Sequence, residues 1–158
     1  MTSSLTAPLD GIRVVDFATG IAGPHASLLL AHHGADVIKI ETPQGDWSRR
    51  LGVSAADQSP FSTYYNRGKR SLALDLKHAE GRRVAFELAS QADIVIESFR
   101  PGVMQRLGLG EAVLRAANPK LVYLAVSGFG QSGPLAQLPA TDTVIQGYAG
   151  LMSLNRDA

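Results

Sequence analysis

Cysteine is absent from this chain, which excludes disulfide staples, thiolate nucleophiles and any zinc site built on sulfur. Aromatic residues are scarce, at 6%, and include a single tryptophan, Trp47. No apolar run approaches the roughly 20 residues that a membrane-spanning helix needs. The start, MTSSLTAPLDG, lacks the basic and apolar regions of a secretory leader, so a cytoplasmic protein is expected. An excess of one sign of charge is missing too: 15 Lys and Arg stand against 14 Asp and Glu, so no global field favours nucleic acid. The four histidines, His25, His32, His33 and His78, lack metal-ligand spacing, and no metal is expected.

What is present suits one compact domain. The 158 residues are 45% hydrophobic, enough for a real core. Short runs rich in β-branched residues alternate with longer amphipathic ones. IRVVDFA (12–18), DVIKIE (36–41), SLALDL (71–76), DIVIESF (93–99) and LVYLAVSGF (121–129) read as strands. GPHASLLLAHHGA (23–35) and HAEGRRVAFELASQA (78–92) read as helices, with GVMQRLG and EAVLRAAN as shorter helical pieces. Strands joined by helices imply right-handed crossovers. The expected fold is therefore α/β: a Rossmann-like, doubly wound, mostly parallel sheet with its ligand outside the carboxyl ends of the strands. The stretch 42–70 departs from this alternation. It is polar and rich in turn residues, carries Trp47, Phe61, Tyr64 and Tyr65, and reads as a long functional or interface loop.

Charge is uneven along the chain. Residues 49–106 hold ten Lys and Arg against six Asp and Glu, a balance suited to a modest anionic ligand. ATGIAGPHA (18–26) follows the first strand and opens a helix, where backbone N–H groups can meet a phosphate. Glu41 closes the second strand, where dinucleotide folds place the acid that grips a ribose, so an NAD-dependent oxidoreductase is one reading. Only Gly20 and Gly23 are present of the G-x-G-x-x-G fingerprint, and tight packing of strand on helix explains them better. NRGKRSLALDLK (66–77) sets Arg67, Lys69 and Arg70 before a strand and Lys77 after it, as a solvated face or as phosphate contacts. ESFRPGVMQRLGL (97–109) places Phe99 between a strand end and Arg100, with Arg106 one turn on. Either Phe99 is core and both arginines are solvated, or the aromatic stacks on a base while the arginines hold phosphates.

GFGQSGPLAQLPATDTVIQGYAG (128–150) carries a lone acid, Asp142, at the entry to a helical pattern. A carboxylate there is by position a candidate nucleophile or base. The simpler role is a cap, because Val144, Ile145, Tyr148, Leu151 and Met152 recur on one helical face that Asp142 precedes. Thr143 and Gln146 offer an alternative capping box. Direct contact with a bound ligand is the competing role for Asp142.

Five stretches, PLDGIRVVDFATGIAGP, LLAHHGADVIKIETPQGD, NRGKRSLALDLKHAEGR, ADIVIESFRPGVMQRLGL and NPKLVYLAVSGFGQSGP, resemble in this order the N-terminal portion of family III CoA-transferases. That group includes formyl-CoA transferase, carnitine CoA-transferase and α-methylacyl-CoA racemase. The resemblance implies the CoA-binding large domain of that fold, incomplete at its C-terminal side, over residues 1–158. It implies coenzyme A or acyl-CoA as substrate and no permanently bound cofactor. A carboxylate acceptor, an interlocked homodimer of the full-length family, and no nucleic-acid or membrane partner complete the expectation.

By the same resemblance Ile21 and Ala22 lie against CoA, and Leu74, Asp75 and Lys77 line its nucleotide end. Ser98, Phe99 and Arg100 contact the adenosine, and Arg106 a phosphate. Thr42 departs from the arginine that relatives often carry after IKIE. The family's transferases use an aspartate nucleophile that follows a later glycine, beyond the helix opening near Asp142. No residue of this chain is therefore assigned a catalytic role, and Thr141 and Asp142 are expected only near the acyl-CoA. Thr141 stands where racemases carry histidine, which disfavours racemization. A non-catalytic CoA- or nucleotide-binding module, or half of a split enzyme, is the alternative expectation.

Overall fold

The computed structural model describes residues 6–53 and 55–155; the stretch read for a secretory leader begins in residues outside this range. Five strands form one sheet: β1 (Arg13–Asp16), β2 (Asp36–Glu41), β3 (Arg70–Ala73), β4 (Ile94–Glu97) and β5 (Val122–Ala125). Their order is β3-β2-β1-β4-β5 and every pairing is parallel. Helix α1 (Ala22–His32) connects β1 to β2, α3 (Ala79–Ser90) connects β3 to β4, and α5 (Glu111–Ala117) precedes β5. The expected doubly wound α/β sheet is thus present. Its order reverses between β1 and β4, which opens a crevice at their carboxyl ends.

Alternation along each strand divides the core in two. Val14, Ala18, Val37 and Ile96 gather on one face of the sheet, packed by Ala26, Leu30 and Ala31 of α1. Val15, Phe17, Ile40 and Val95 gather on the other, against Ala85 and Ala89 of α3 and Leu114 of α5. Val14 and Val15 are neighbours in sequence and both are buried, yet they serve opposite layers.

The long loop expected over 42–70 is a correction. It contains a 3-10 turn over Trp47–Arg50 and a helix, α2 (Pro60–Asn66). Ser59 caps α2 through a reciprocal box with Ser62, and Pro60 sits in the first turn, where its missing N–H costs no bond. A serine at the third helical position, in place of the usual Glu or Gln, conceals this box in the sequence. Two further short helices, α4 (Val103–Arg106) and α6 (Asp142–Tyr148), complete the set, followed by a 3-10 turn over Leu151–Asn155.

Candidate functional site

The segments after β1, β2, β3 and β4 meet at the carboxyl edge of the sheet. The segment after β1 is fixed from three sides. Asp16 Oδ1 accepts from the Ala18 N–H at 2.9 Å, Ser98 Oγ accepts from the Thr19 N–H at 2.8 Å, and Asp46 accepts from the Gly20 N–H at 3.1 Å. Gly20 has φ of +78°, and a Cβ there would come within 2.5 Å of Trp47 Cζ2. Both the backbone conformation and the contact therefore require glycine. At Gly23 an added Cβ would lie 2.2 Å from that of Ala18, so tight packing of strand on helix explains Gly23, whereas Gly20 answers to its turn and to Trp47. Ile21 and Ala22, held by this frame at the entrance to α1, are both exposed.

Buried charges support the frame from below. Lys39 is fully buried; its ammonium donates to the Ala18 carbonyl and lies 3.4 Å from Asp46 Oδ2. Lys69 Nζ lies 3.1 Å from Asp16 Oδ2 and also donates to the Pro24 carbonyl at 2.8 Å. Ser27 Oγ donates to the same Asp16 oxygen at 2.5 Å. Burial pulls the Lys69 ammonium below its ordinary value, an effect that Asp16 opposes.

Glu41 receives both Arg49 Nε and a terminal Arg49 nitrogen at 2.8 Å, together with the Asp46 N–H at 2.9 Å. Burial alone would raise its pKa; the guanidinium and the amide outweigh burial and hold the carboxyl below its usual range. Glu41 is therefore engaged, not aimed at a ribose, and the NAD-dependent reading loses its acid. Of the two readings of Arg67, Lys69 and Arg70, a solvated face or phosphate contacts, neither describes all three. Lys69 is in the buried pair, Arg70 holds Asp36 at 2.5 Å, and Arg67 donates to His32 Nε2 and lies over the Tyr64 ring. A cleft of about 330 Å3 between α2 and β3 is lined by these groups and by Lys39 and Arg49. Lys39, Arg49, Lys69 and Arg70 already have carboxylate partners there.

Three basic residues near the strand ends differ. Among the described residues Lys77, Arg100 and Arg106 enter no ion pair, and all three are exposed. Their backbones are anchored even so. Arg82 donates to the carbonyls of Leu76 and Lys77 at 3.1 and 2.7 Å, and Asp75 Oδ1 accepts from the Lys77 N–H at 2.9 Å. Glu97 Oε2 accepts from the Phe99 N–H at 2.7 Å, which turns the chain beside Arg100. Glu97 has no cationic partner among the described residues, and burial raises its pKa.

Between these segments lies a slot of about 250 Å3, lined by Phe17, Ile40, Trp47, Leu74, Leu76 and Phe99 with Thr19, Thr42 and Glu41 on its polar side. A smaller cavity of about 90 Å3 joins Ser98, Phe99 and Arg100 to Ser127, Gly128, Phe129 and Ala140. The structure thus brings Leu74 and Phe99 to one slot and Ser98, Phe99 and Arg100 to one cavity. Phe99 meets both sequence readings, since it packs on the core and also lines the slot. Trp47, Asp46 and Lys39 were not singled out as site residues; the one available signal was a lone tryptophan directly after the second strand's G-D turn.

Asp142 is not the helix cap. Thr141 caps α6, its Oγ1 accepting from the Val144 N–H at 3.4 Å. Asp142 occupies the first helical position and accepts from Gln146 at 2.5 Å. That bond removes Gln146 from the alternative box with Thr143. Thr141 and Asp142 are both exposed and follow Ala140, which lines the smaller cavity. No cluster of metal-ligating side chains occurs among the described residues, and no helix is long and apolar enough to cross a membrane.

Comparison with known proteins places this geometry. The profile of CoA-transferase family III matches residues 9–158. The acetyl-CoA:oxalate CoA-transferase of Acetobacter aceti is 44% identical over 146 residues, covering 92% of this chain and 38% of the relative. The succinate–glutarate CoA-transferase of Agrobacterium fabrum is 45% identical over 155 residues, covering 93% and 39%. The crystal structure of a CAIB/BAIF family protein from Brucella suis superposes with a TM-score of 0.88 at 40% identity, covering 96% of this chain and 42% of that one. The chain spans about two fifths of the length of these relatives.

Proposed function

The chain belongs to CoA-transferase family III, and from that premise we propose that it is the CoA-holding N-terminal portion of an acyl-CoA:carboxylate CoA-transferase. One observation carries the reading: Lys77, Arg100 and Arg106 are exposed cations without carboxylate partners among the described residues, while Lys39, Arg49, Lys69 and Arg70 are all paired. Leu74 and Phe99 flank an apolar slot in the part of the fold where doubly wound sheets bind ligands. In this assignment Ile21 and Ala22 meet the CoA chain, and Leu74, Asp75 and Lys77 its nucleotide end. Ser98, Phe99 and Arg100 meet the adenosine, and Arg106 a phosphate. Residues 1–158 then form part of the large CoA-binding domain, and we assign the protein to the cytoplasm.

The reaction proposed for the whole polypeptide exchanges CoA between two carboxylates through an enzyme aspartate. That aspartate attacks the thioester carbonyl and expels CoA thiolate, leaving a mixed anhydride. The thiolate then attacks the aspartyl carbonyl of the anhydride and releases the donor carboxylate, leaving aspartyl-CoA. The acceptor carboxylate repeats the exchange, and thiolate attack on the acceptor's acyl carbon restores the aspartate. Splitting the transfer into these displacements is covalent catalysis, and N–H donors beside each oxyanion lower the barriers. Asp16, Glu41 and Asp46 are committed to buried bonds, and Asp142 to Gln146; none is assigned the nucleophile. We assign the nucleophile to the remainder of the family's polypeptide, and the complete protein to an interlocked homodimer.

Calorimetric titration with CoA tests the reading directly. Binding is expected, and the Arg100→Ala/Arg106→Ala double variant is expected to weaken it about tenfold or more, since two assigned contacts from charged side chains are lost. Unchanged affinity in a folded double variant would remove the arginines from the site. Saturable NAD binding without CoA binding would overturn the function itself.

A further inference from the structure

We propose that Trp47 is a specificity-determining contact residue, seating the purine ring of the CoA nucleotide in the 250 Å3 slot. The inference rests on the CoA-binding reading above and adds to it a residue outside the segments that the family resemblance marks for CoA.

Trp47 is the single tryptophan of the chain and is 55% exposed. Its indole lines the slot while about half of its surface stays open to solvent. Its support is rigid. The 3-10 turn that carries it is capped by Asp46, whose Oδ1 accepts from the Ser48 N–H at 2.9 Å. Asp46 is itself buried, fixed by Lys39 and by the Gly20 N–H. The indole lies directly against Gly20, a position where no side chain can intervene. A buried ion pair and a positive-φ glycine therefore fix the placement of a ring that remains half in solvent.

Trp47 and Phe99 are the two large aromatic residues of the slot besides the fully buried Phe17; aliphatic Ile40, Leu74 and Leu76 complete its apolar lining. A flat heteroaromatic ring gains most from such walls, because stacking uses its whole face and requires no particular hydrogen-bond pattern. Thr19 and Thr42 supply polar groups at the margin for the ring edge. Arg100 follows Phe99 in sequence and Lys77 follows Leu76, which sets cations without ion-pair partners among the described residues next to two lining residues of the slot; they are assigned to the phosphates of an adenine nucleotide. The pantetheine arm, a flexible chain with two amides and no ring, has no flat face to stack on an aromatic rim.

Because Trp47 is the sole tryptophan, its fluorescence reports on the slot alone. CoA and adenosine 3′,5′-bisphosphate are both expected to quench it saturably, whereas 4′-phosphopantetheine, which lacks the purine, leaves it unchanged. By calorimetry Trp47→Ala is expected to weaken CoA and the bisphosphate about tenfold, a loss consistent with one stacked base. Trp47→Phe keeps most of the affinity, and phosphopantetheine binds both variants as it binds the unaltered protein. Wild-type affinity for CoA in folded Trp47→Ala, or quenching by phosphopantetheine but not by the bisphosphate, overturns the assignment and leaves the CoA-binding function intact. Failure of the unaltered chain to bind CoA by calorimetry overturns the function, and this inference with it.

Discussion

Helices α3 and α6 each present a repeating apolar face, and their surroundings are opposite. Ala85 and Ala89 of α3 are fully buried against the sheet, with Phe86 and Leu88 packed around them. No residue of α6 is buried. Its face makes an edge-on contact between Tyr148 and Phe129, with ring centroids 5.2 Å apart, and leaves Val144 exposed, as are Leu151 and Met152 of the 3-10 turn that follows. From residue 126 to residue 154, Ala136 is the one buried residue. Apolar periodicity specifies a face; burial needs a second layer set against it. The sheet supplies that layer to α3 but not to α6.

The largest expected contrast comes from the charges under the crevice. Asp16→Ala leaves Lys69 buried without its carboxylate and also removes the acceptor of Ser27 and of the Ala18 N–H. A loss of about 3–5 kcal/mol is expected, because an uncompensated buried charge is worse than none. Urea denaturation measures it. The double variant Asp16→Ala/Lys69→Met should recover much of that loss; a double variant no more stable than the single one would show that the acid's hydrogen bonds, not the paired charge, matter.

Two glycines allow a direct comparison of the regions at nearly equal geometry. A Cβ on Gly23 would approach that of Ala18 to 2.2 Å, and one on Gly128 would approach that of Ala140 to 2.1 Å. Ala18 is fully buried beside β1, so the clash cannot relax; Gly23→Ala should cost about 1–3 kcal/mol. Gly128 and Ala140 are both exposed, and their loop can move aside, so Gly128→Ala should cost less than about 1 kcal/mol. Equal shifts in the thermal midpoints would mean that the 126–155 segment is held as firmly as the sheet.

Within the sheet-bound region, Glu41 and Glu97 close their strands with opposite titration behaviour. The pKa of Glu41 is lowered, so its contribution is full above the unfolded-state value and is lost as pH falls through the folded one. Glu41→Gln should therefore cost about 1–2 kcal/mol at neutral pH, discounted for the partial exposure of Arg49, and little in acid. The pKa of Glu97 is raised by burial, so its charged form is a penalty that grows above the unfolded-state value and is complete above the folded one. Glu97→Gln keeps an acceptor for the Phe99 N–H and should stabilise the fold at neutral pH, an advantage that disappears in acid. Stability measured from pH 3 to pH 8 checks both signs, and parallel profiles for the two variants would refute the difference in their surroundings.

The sheet was largely legible in the sequence because buried parallel strands leave compact β-branched runs, and VVDF, VIKI and IVIE mark the centres of β1, β2 and β4. Helix α2 was hidden by its short length and by Ser62 in the box. The frame of the crevice was harder to read. Lys69 meets Asp16 across 53 positions and Ser98 meets Thr19 across 79, and no local pattern encodes partners that distant. For the same reason NRGKR read as a cluster of candidate phosphate ligands, whereas the fold distributes Arg67, Lys69 and Arg70 among three different partners. Asp142 was misread at shorter range. Two adjacent residues, Thr141 and Asp142, both suit a cap, and the backbone turns helical one residue earlier than an Asp142 cap would need.

The smallest expected effect lies on the bare α6 and the 3-10 turn that follows it. Leu154 is 76% exposed, so truncating it removes apolar surface that folding has not buried, and Leu154→Ala should change stability by no more than about 0.5 kcal/mol. Val144→Ala should do the same for stability at its half-exposed site on α6. Both substitutions should nevertheless reduce the binding of a hydrophobic dye, since exposed apolar patches are what such dyes detect. The two readouts separate a bare face from a covered one. A stability loss as large as that of Gly23→Ala, growing with protein concentration, would mean that a second copy buries Leu154 in solution. A loss of dye binding without a loss of stability is the outcome that a helix face without a second layer requires.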